Sequence, residues 1–218
     1  MAATTAALTI NNTDGTCTAN ITNNLSNRNL IINGAMQVAQ RGKYNTTNGY
    51  GTVDRWNNFF NGADESPTQA QVDVASGTTP YSLGFRKALK ITNGNQTSGA
   101  QAGDYINIQQ SIEAKNTATS GWKYTSASSF ITLSFWIKSS VAQSFHGHLR
   151  TRDGNSQRYV FQTGALTANT WTKITKTIPG NSNLQFDTDT TANAADRGLD
   201  VTIIPYAGTT YSSSSNTF

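Results

Sequence analysis

The segment FITLSFWIK, residues 130–138, constrains the fold more than any other. Its apolar residues Ile131, Leu133, Phe135 and Ile137 fall on one side of an extended chain. Thr132, Ser134, Trp136 and Lys138 fall on the other. A period of two is that of a strand with one face in a core, and a helix cannot satisfy it. The same alternation recurs along the chain. In RKALKIT, Ala88 opposes Leu89 and Ile91; YINIQQSIE places Ile106, Ile108 and Ile112 together. WTKITKTI offers Ile174 and Ile178, and LDVTIIPY offers Val201 and Ile203 with Ile204 opposite. Clusters of Gly, Asn and Ser such as NGNQTSGAQAG, residues 93–103, punctuate these runs. Many short strands with turn signals and no helical pattern between them predict an all-β, antiparallel sandwich.

Composition agrees. Only 13% of the 218 residues are charged, and Thr, Ser, Asn and Gly are abundant, a mixture that favours strands and turns. Lys and Arg are scattered, so the formal charge of +4 predicts no nucleic-acid patch. The single cysteine, Cys17, excludes an intrachain disulfide. The opening MAATTAALTI has no basic region ahead of its short apolar run, and no segment is long enough to insert in a membrane. Synthesis in a cytoplasm is expected.

Residues 1–26 contain no aromatic side chain and form a separate N-terminal extension. Leu8/Ile10 and Ala19/Ile21 flank Asp14-Gly15 and predict a hairpin. A lone hairpin is marginal in water and needs a surface, either the main domain or another protein. The main domain is expected over residues 27–218.

Several groups bear on chemistry. Trp136 lies among polar neighbours on the solvent side of its strand, as a sugar platform requires: the ring covers the C–H face of a pyranose while polar groups take its hydroxyls. The competing reading puts Trp136 under a loop or in a subunit contact. SFHGHLRTRD places His146, His148, Arg150 and Arg152 on one strand face, with the two imidazoles roughly 7 Å apart. Two His are too few for a closed metal site, so an exposed polar face is expected and no metal is assigned. DTDTTANAADRGLD, with Asp187, Asp189, Asp196 and Asp200, lacks the spacing of an EF-hand and reads as a solvated acidic loop. Trp56 and Trp171 read as core anchors, Arg55 as an ion-pair partner of Asp54, and Arg41 as a donor to turn carbonyls. There is no G-x-S-x-G, H-E-x-x-H, G-x-G-x-x-G or P-loop, and the acids identify no glycosidase pair. The expectation is a protein that is not an enzyme and needs no cofactor.

The stretch NLIINGAMQ, residues 29–37, resembles the opening of carbohydrate-binding modules with a jelly-roll β-sandwich, in which a strand ends at the Asn-Gly turn and the chain crosses to the next sheet. ALKIT, YINIQQSIE, Gly121, ITLSFWIKSS and NTWTKITKTIPG follow in the order of that family's strands. The longer NLIINGAMQVAQRG followed by YGTVDRW resembles a domain of tail-fibre and other virion structural proteins of tailed phages, notably those of cyanobacteria and marine bacteria. The resemblance covers about residues 27–205. Two departures stand out. Carbohydrate modules carry Glu, associated with a structural calcium, where this chain has Gln37. The phage pattern also continues past YSSSSNTF, where this chain stops at Phe218.

The resemblance implies a virion protein, assembled in the host cytoplasm, of a tail fibre or related appendage. It would attach to host surface polysaccharide through Trp136, Lys138 and Arg150. A head-decoration protein and a glycan depolymerase are the alternatives. Residues 1–26 would dock on other virion proteins, and the assembly would be a homotrimer.

Overall fold

The computed structural model describes residues 8–10, 13, 17–19, 29–186, 197–211 and 218. β1 (Leu8–Ile10) and β2 (Cys17–Ala19) pair antiparallel, with Leu8 opposite Ala19 and Ile10 opposite Cys17. Ile21 and the Asp14-Gly15 turn lie outside the described residues.

The main chain then runs through β3 (Tyr44–Asn45), β4 (Asn57–Asn61), β5 (Thr68–Asp73), the short helix α1 (Thr79–Ser82), β6 (Lys87–Thr92) and β7 (Tyr105–Glu113). It continues through α2 (Ala114–Ala118), β8 (Phe130–Ile137), β9 (His146–Thr151), β10 (Arg158–Gln162), β11 (Thr172–Pro179) and β12 (Arg197–Ala207). The result is an all-β, antiparallel sandwich. Its large sheet has the order β10-β9-β12-β7-β4, and β11-β8 forms a second layer. Successive strands switch between these layers: β7 lies in the large sheet, β8 in the second, β9 and β10 in the first, β11 in the second and β12 in the first. This alternation gives the sandwich its jelly-roll character.

The main core fills the space between the large sheet and the β8–β11 pair. Ile112, Leu149, Phe161, Leu199 and Val201 come from the large sheet and Ile178 from β11, with Ile131, Leu133 and Phe135 of β8 packed against them. Phe161 and Phe135 meet at 6.3 Å between ring centroids. Gly147 makes room for this contact. A Cβ there would stand 2.5 Å from the Phe161 ring and 2.7 Å from the Thr202 carbonyl oxygen. The glycine between the two histidines is thus a packing requirement of the inner face. Trp122, which the sequence patterns did not single out, closes one end of the core. It is 6% exposed, and its indole N–H donates to the Ser129 carbonyl at 3.2 Å.

A third group, β3-β5-β6, joins the large sheet at its β4 edge. Gly49 bridges to Asn58 of β4, and the buried Gln69 of β5 donates to the Thr47 and Gly49 carbonyls, both at 3.3 Å.

The opening motif departs from the expected strand. Leu30–Ile32 join no sheet; Leu30 and Ile31 pack on the core while the buried Gln110 of β7 captures Ile32. The amide oxygen of Gln110 accepts from the Ile32 N–H at 2.7 Å, and its Nε2 donates to the Ile32 carbonyl at 2.8 Å. One side chain thereby satisfies both backbone groups that a neighbouring strand would have satisfied. Asn33 then turns the chain with φ 53°, a left-handed conformation that Asn tolerates because its amide bonds locally. Its Oδ1 accepts from the Val38 N–H at 3.1 Å, and its Nδ2 donates to the Val38 and Asp54 carbonyls at 2.9 and 3.0 Å.

Candidate functional site

Two outer faces of the sandwich carry chemistry, and they belong to different layers. The first is the outer face of β8–β11. Ile131, Leu133 and Phe135 point into the core, so Thr132, Ser134 and Trp136 point out, as the alternation required. The register places Trp136 opposite Lys173, Ser134 opposite Thr175 and Thr132 opposite Thr177. Just past the paired strands, Lys138 sets its Nζ 5.4 Å from the ring centroid of Trp171. Two tryptophans and two lysines thus alternate on one surface, bordered by hydroxyls. Both tryptophans are half-buried, whereas Lys138, Lys173, Ser134 and Thr175 are exposed. Trp171 is therefore not the core anchor expected of it. Trp56 does anchor the interior: it is 8% exposed, and its indole donates to the Asn33 carbonyl at 3.3 Å.

The second is the outer face of the large sheet. In β9, Gly147, Leu149 and Thr151 are buried inward, leaving His146, His148 and Arg150 outward. Cross-strand register builds two rows. One runs Arg158, Arg150, Asp200, Ser111, and the other Val160, His148, Thr202, Gln109, Asn57. Asp200 is the floor of the first row and has no exposed surface. It accepts from Ser111 Oγ at 2.6 Å, from Arg197 Nη2 at 3.1 and 3.0 Å, and from Arg152 Nε. Asp200 is thus no member of a solvated acidic loop; it is the buried counter-charge of a strand face. Asp187, Asp189 and Asp196 lie outside the described residues.

Burial, then the charges of Arg158 and Arg150, push the His148 imidazole down to about 4. It is neutral at pH 7 and presents one donor and one acceptor. Burial, followed by Arg152 and Arg158, also lowers the Arg150 pKa. Among the described residues, no three His, Cys, Asp or Glu side chains gather as a metal-binding group.

The structure keeps Trp136 and Lys138 together and separates them from Arg150, which stands on the opposite side of the sandwich. Two smaller expectations are also revised. Arg55 pairs with Glu113 at 3.8 Å, and Asp54 pairs with Arg41 at 3.7 Å. Arg41 also lies 5.9 Å from the Tyr50 ring centroid.

No protein-family model and no curated protein sequence matches the chain. Among solved structures, it is similar to the enzymatically active domain of tailspike protein 4 of bacteriophage CBA120. That likeness has a TM-score of 0.47 and 11% identity, covering 83% of this chain and 19% of the tailspike chain. It is also similar to CBM22-1–GH10 modules of the Clostridium thermocellum endo-1,4-β-D-xylanase 10B, complexed with xylohexaose. There the TM-score is 0.38 and the identity 12%, covering 76% of this chain and 25% of the xylanase chain. Both of these structures are of enzymes, contrary to the expectation that this chain is not one. Likenesses this distant assign neither a substrate nor a residue role to this chain.

Proposed function

We propose that the chain is a structural component of a tailed-phage virion, in a tail fibre or related appendage, that attaches to the host surface by holding glycan on the outer face of β8–β11. The observation that carries this reading is the interleaving of Trp136 and Trp171 with Lys173 and Lys138 on one accessible surface. An aromatic ring backed by a strand is rigid and offers a flat apolar face at little entropic cost. The lysines and the hydroxyls of Ser134 and Thr175 supply the hydrogen bonds that a sugar's equatorial oxygens require. The series of strand motifs from NLIINGAMQVAQRG onward supports the virion setting. In this reading residues 1–26 dock on other virion proteins, and the working assembly is a homotrimer.

The test is a pull-down with purified host-envelope polysaccharide. Wild type is expected to be retained, and Trp136→Ala to be lost with the fold intact by circular dichroism. Equal retention of the two would reject the platform. The same samples are assayed for newly released reducing ends, which measures cleavage separately from binding. Labelling intact particles with an antibody to the chain checks the appendage setting, and label confined to the head would contradict it.

A further inference from the structure

Among the described residues, the outer face of the large sheet carries more positive charge than negative. Arg150, Arg152, Arg158 and Arg197 surround one carboxylate, Asp200. Asp200 is saturated by Arg152, Arg197 and Ser111. Arg150 and Arg158 stand directly opposite one another in the β9–β10 register. Like charges in that position repel and destabilise the pair. Arg150 donates through Nε to Ser156 Oγ at 2.9 Å, and its terminal nitrogens have no hydrogen-bond partner among the described residues. Arg158 is exposed and has no ion-pair partner among the described residues. Two guanidiniums with no carboxylate between them among the described residues are complementary to a planar or tetrahedral oxyanion.

The neighbouring row is neutral where it reaches the arginines. His148 stands beside them and is neutral at neutral pH. Farther along the row, Gln109 and Asn57 are buried, and the Gln109 amide is held by Ser111 and Thr202. The accessible part of this face is therefore an anion seat with a neutral imidazole at its edge.

We propose that this face is a second binding site, distinct from the β8–β11 platform, for the acid group of an anionic polysaccharide, with Arg150 and Arg158 holding the carboxylate or sulfate and His148 beside the adjoining hydroxyls. The site lies on the other layer and does not depend on the tryptophan platform being a glycan site.

The experiment measures binding of the full chain to polygalacturonate, dextran sulfate, neutral dextran and duplex DNA at one fixed salt concentration. The expected result is binding to at least one of the two acidic glycans, with neutral dextran and DNA at least about tenfold weaker. Preference for polygalacturonate identifies a carboxylate, and preference for dextran sulfate a sulfate. The Arg150→Gln/Arg158→Gln variant should lose about tenfold or more, the scale of a charge-assisted hydrogen bond. Lys90→Gln, an exposed charge change on β6, should retain affinity for the acidic glycan. Arg158→Gln alone, an exposed change, guards against loss of fold and should show part of the same loss. Unchanged binding by both arginine variants would overturn the proposal. So would equal binding of neutral dextran, or DNA binding as tight as that of the acidic glycans.

Discussion

The two outer faces of the sandwich use opposite strategies. On β8–β11 the candidate side chains sit on top of the sheet: half-buried rings and exposed lysines among hydroxyls, none of them with a buried counter-charge among the described residues. On the large sheet the chemistry is sunk into the structure, with a fully buried Asp200 under partly exposed arginines and a desolvated His148. The difference predicts which face the fold depends on. Side chains of the first face can be removed at little cost because water replaces their contacts. Those of the second cannot, because removing one leaves another charge unpaired in a poorly hydrated place.

The largest effects should come from the core that both faces share. Phe161, on the inner side of the large sheet, is 1% exposed, so Phe161→Ala should cost about 3–5 kcal/mol in urea unfolding. Its partner Phe135 on β8 keeps some exposure, so Phe135→Ala should cost less, about 2 kcal/mol. Equal costs would mean that the two layers contribute equally to the core, contrary to the asymmetry described.

Next comes the buried carboxylate. Asp200→Ala strands Arg152 and Arg197, whose side chains remain 26% and 42% exposed. That exposure places the cost at the low end of the range for a broken buried pair, about 3 kcal/mol. Thr175→Ala on the opposite face should fall within about 0.5 kcal/mol of wild type. A small effect at Asp200 would show that the arginine face is not structurally coupled.

A pH profile sharpens the same contrast. His148 titrates near 4 when folded and near 6.5 when unfolded. The unfolded state therefore takes up a proton first as pH falls. Stability present above pH 6.5 declines between 6.5 and 4, by about 2–3 kcal/mol after allowance for residual solvent exposure. His148→Gln should lose this decline, and the difference between the two urea midpoint profiles isolates it. Parallel profiles would mean that His148 is solvated. A similarly small effect is expected at Lys138, where loss of the contact with Trp171 in Lys138→Ala should cost about 0.5 kcal/mol.

Alternation in the sequence revealed which side of each strand faces inward, and that was enough for β7, β8, β9, β11 and β12. It does not reveal which layer a strand joins. Trp136 and Arg150 both read as outward-facing, and both are, but on opposite sides of the sandwich. Layer membership depends on pairing between distant segments, such as β12 inserting between β9 and β7, which no local pattern encodes. Asp200 illustrates the same limit. Local composition placed it in an acidic loop, and only its arginine partners, Arg152 just past β9 and Arg197 at the start of β12, reveal its burial. Gln110 was hidden for a different reason. A polar residue in an apolar row looks like an interruption until the backbone it satisfies, at Ile32, is seen beside it. Trp171/Lys173 repeats the two-residue Trp–Lys spacing of Trp136/Lys138, and that repeat is the sequence signal for the second tryptophan on this face.

The central claim is that glycan is held on the β8–β11 face, and calorimetric titration of the full chain with host-envelope polysaccharide tests it most directly. The Trp136→Ala/Trp171→Ala variant should bind more weakly by about 1–3 kcal/mol, the scale of aromatic anchors at interfaces, with unfolding unchanged. Affinity equal to that of wild type in this variant would contradict the account.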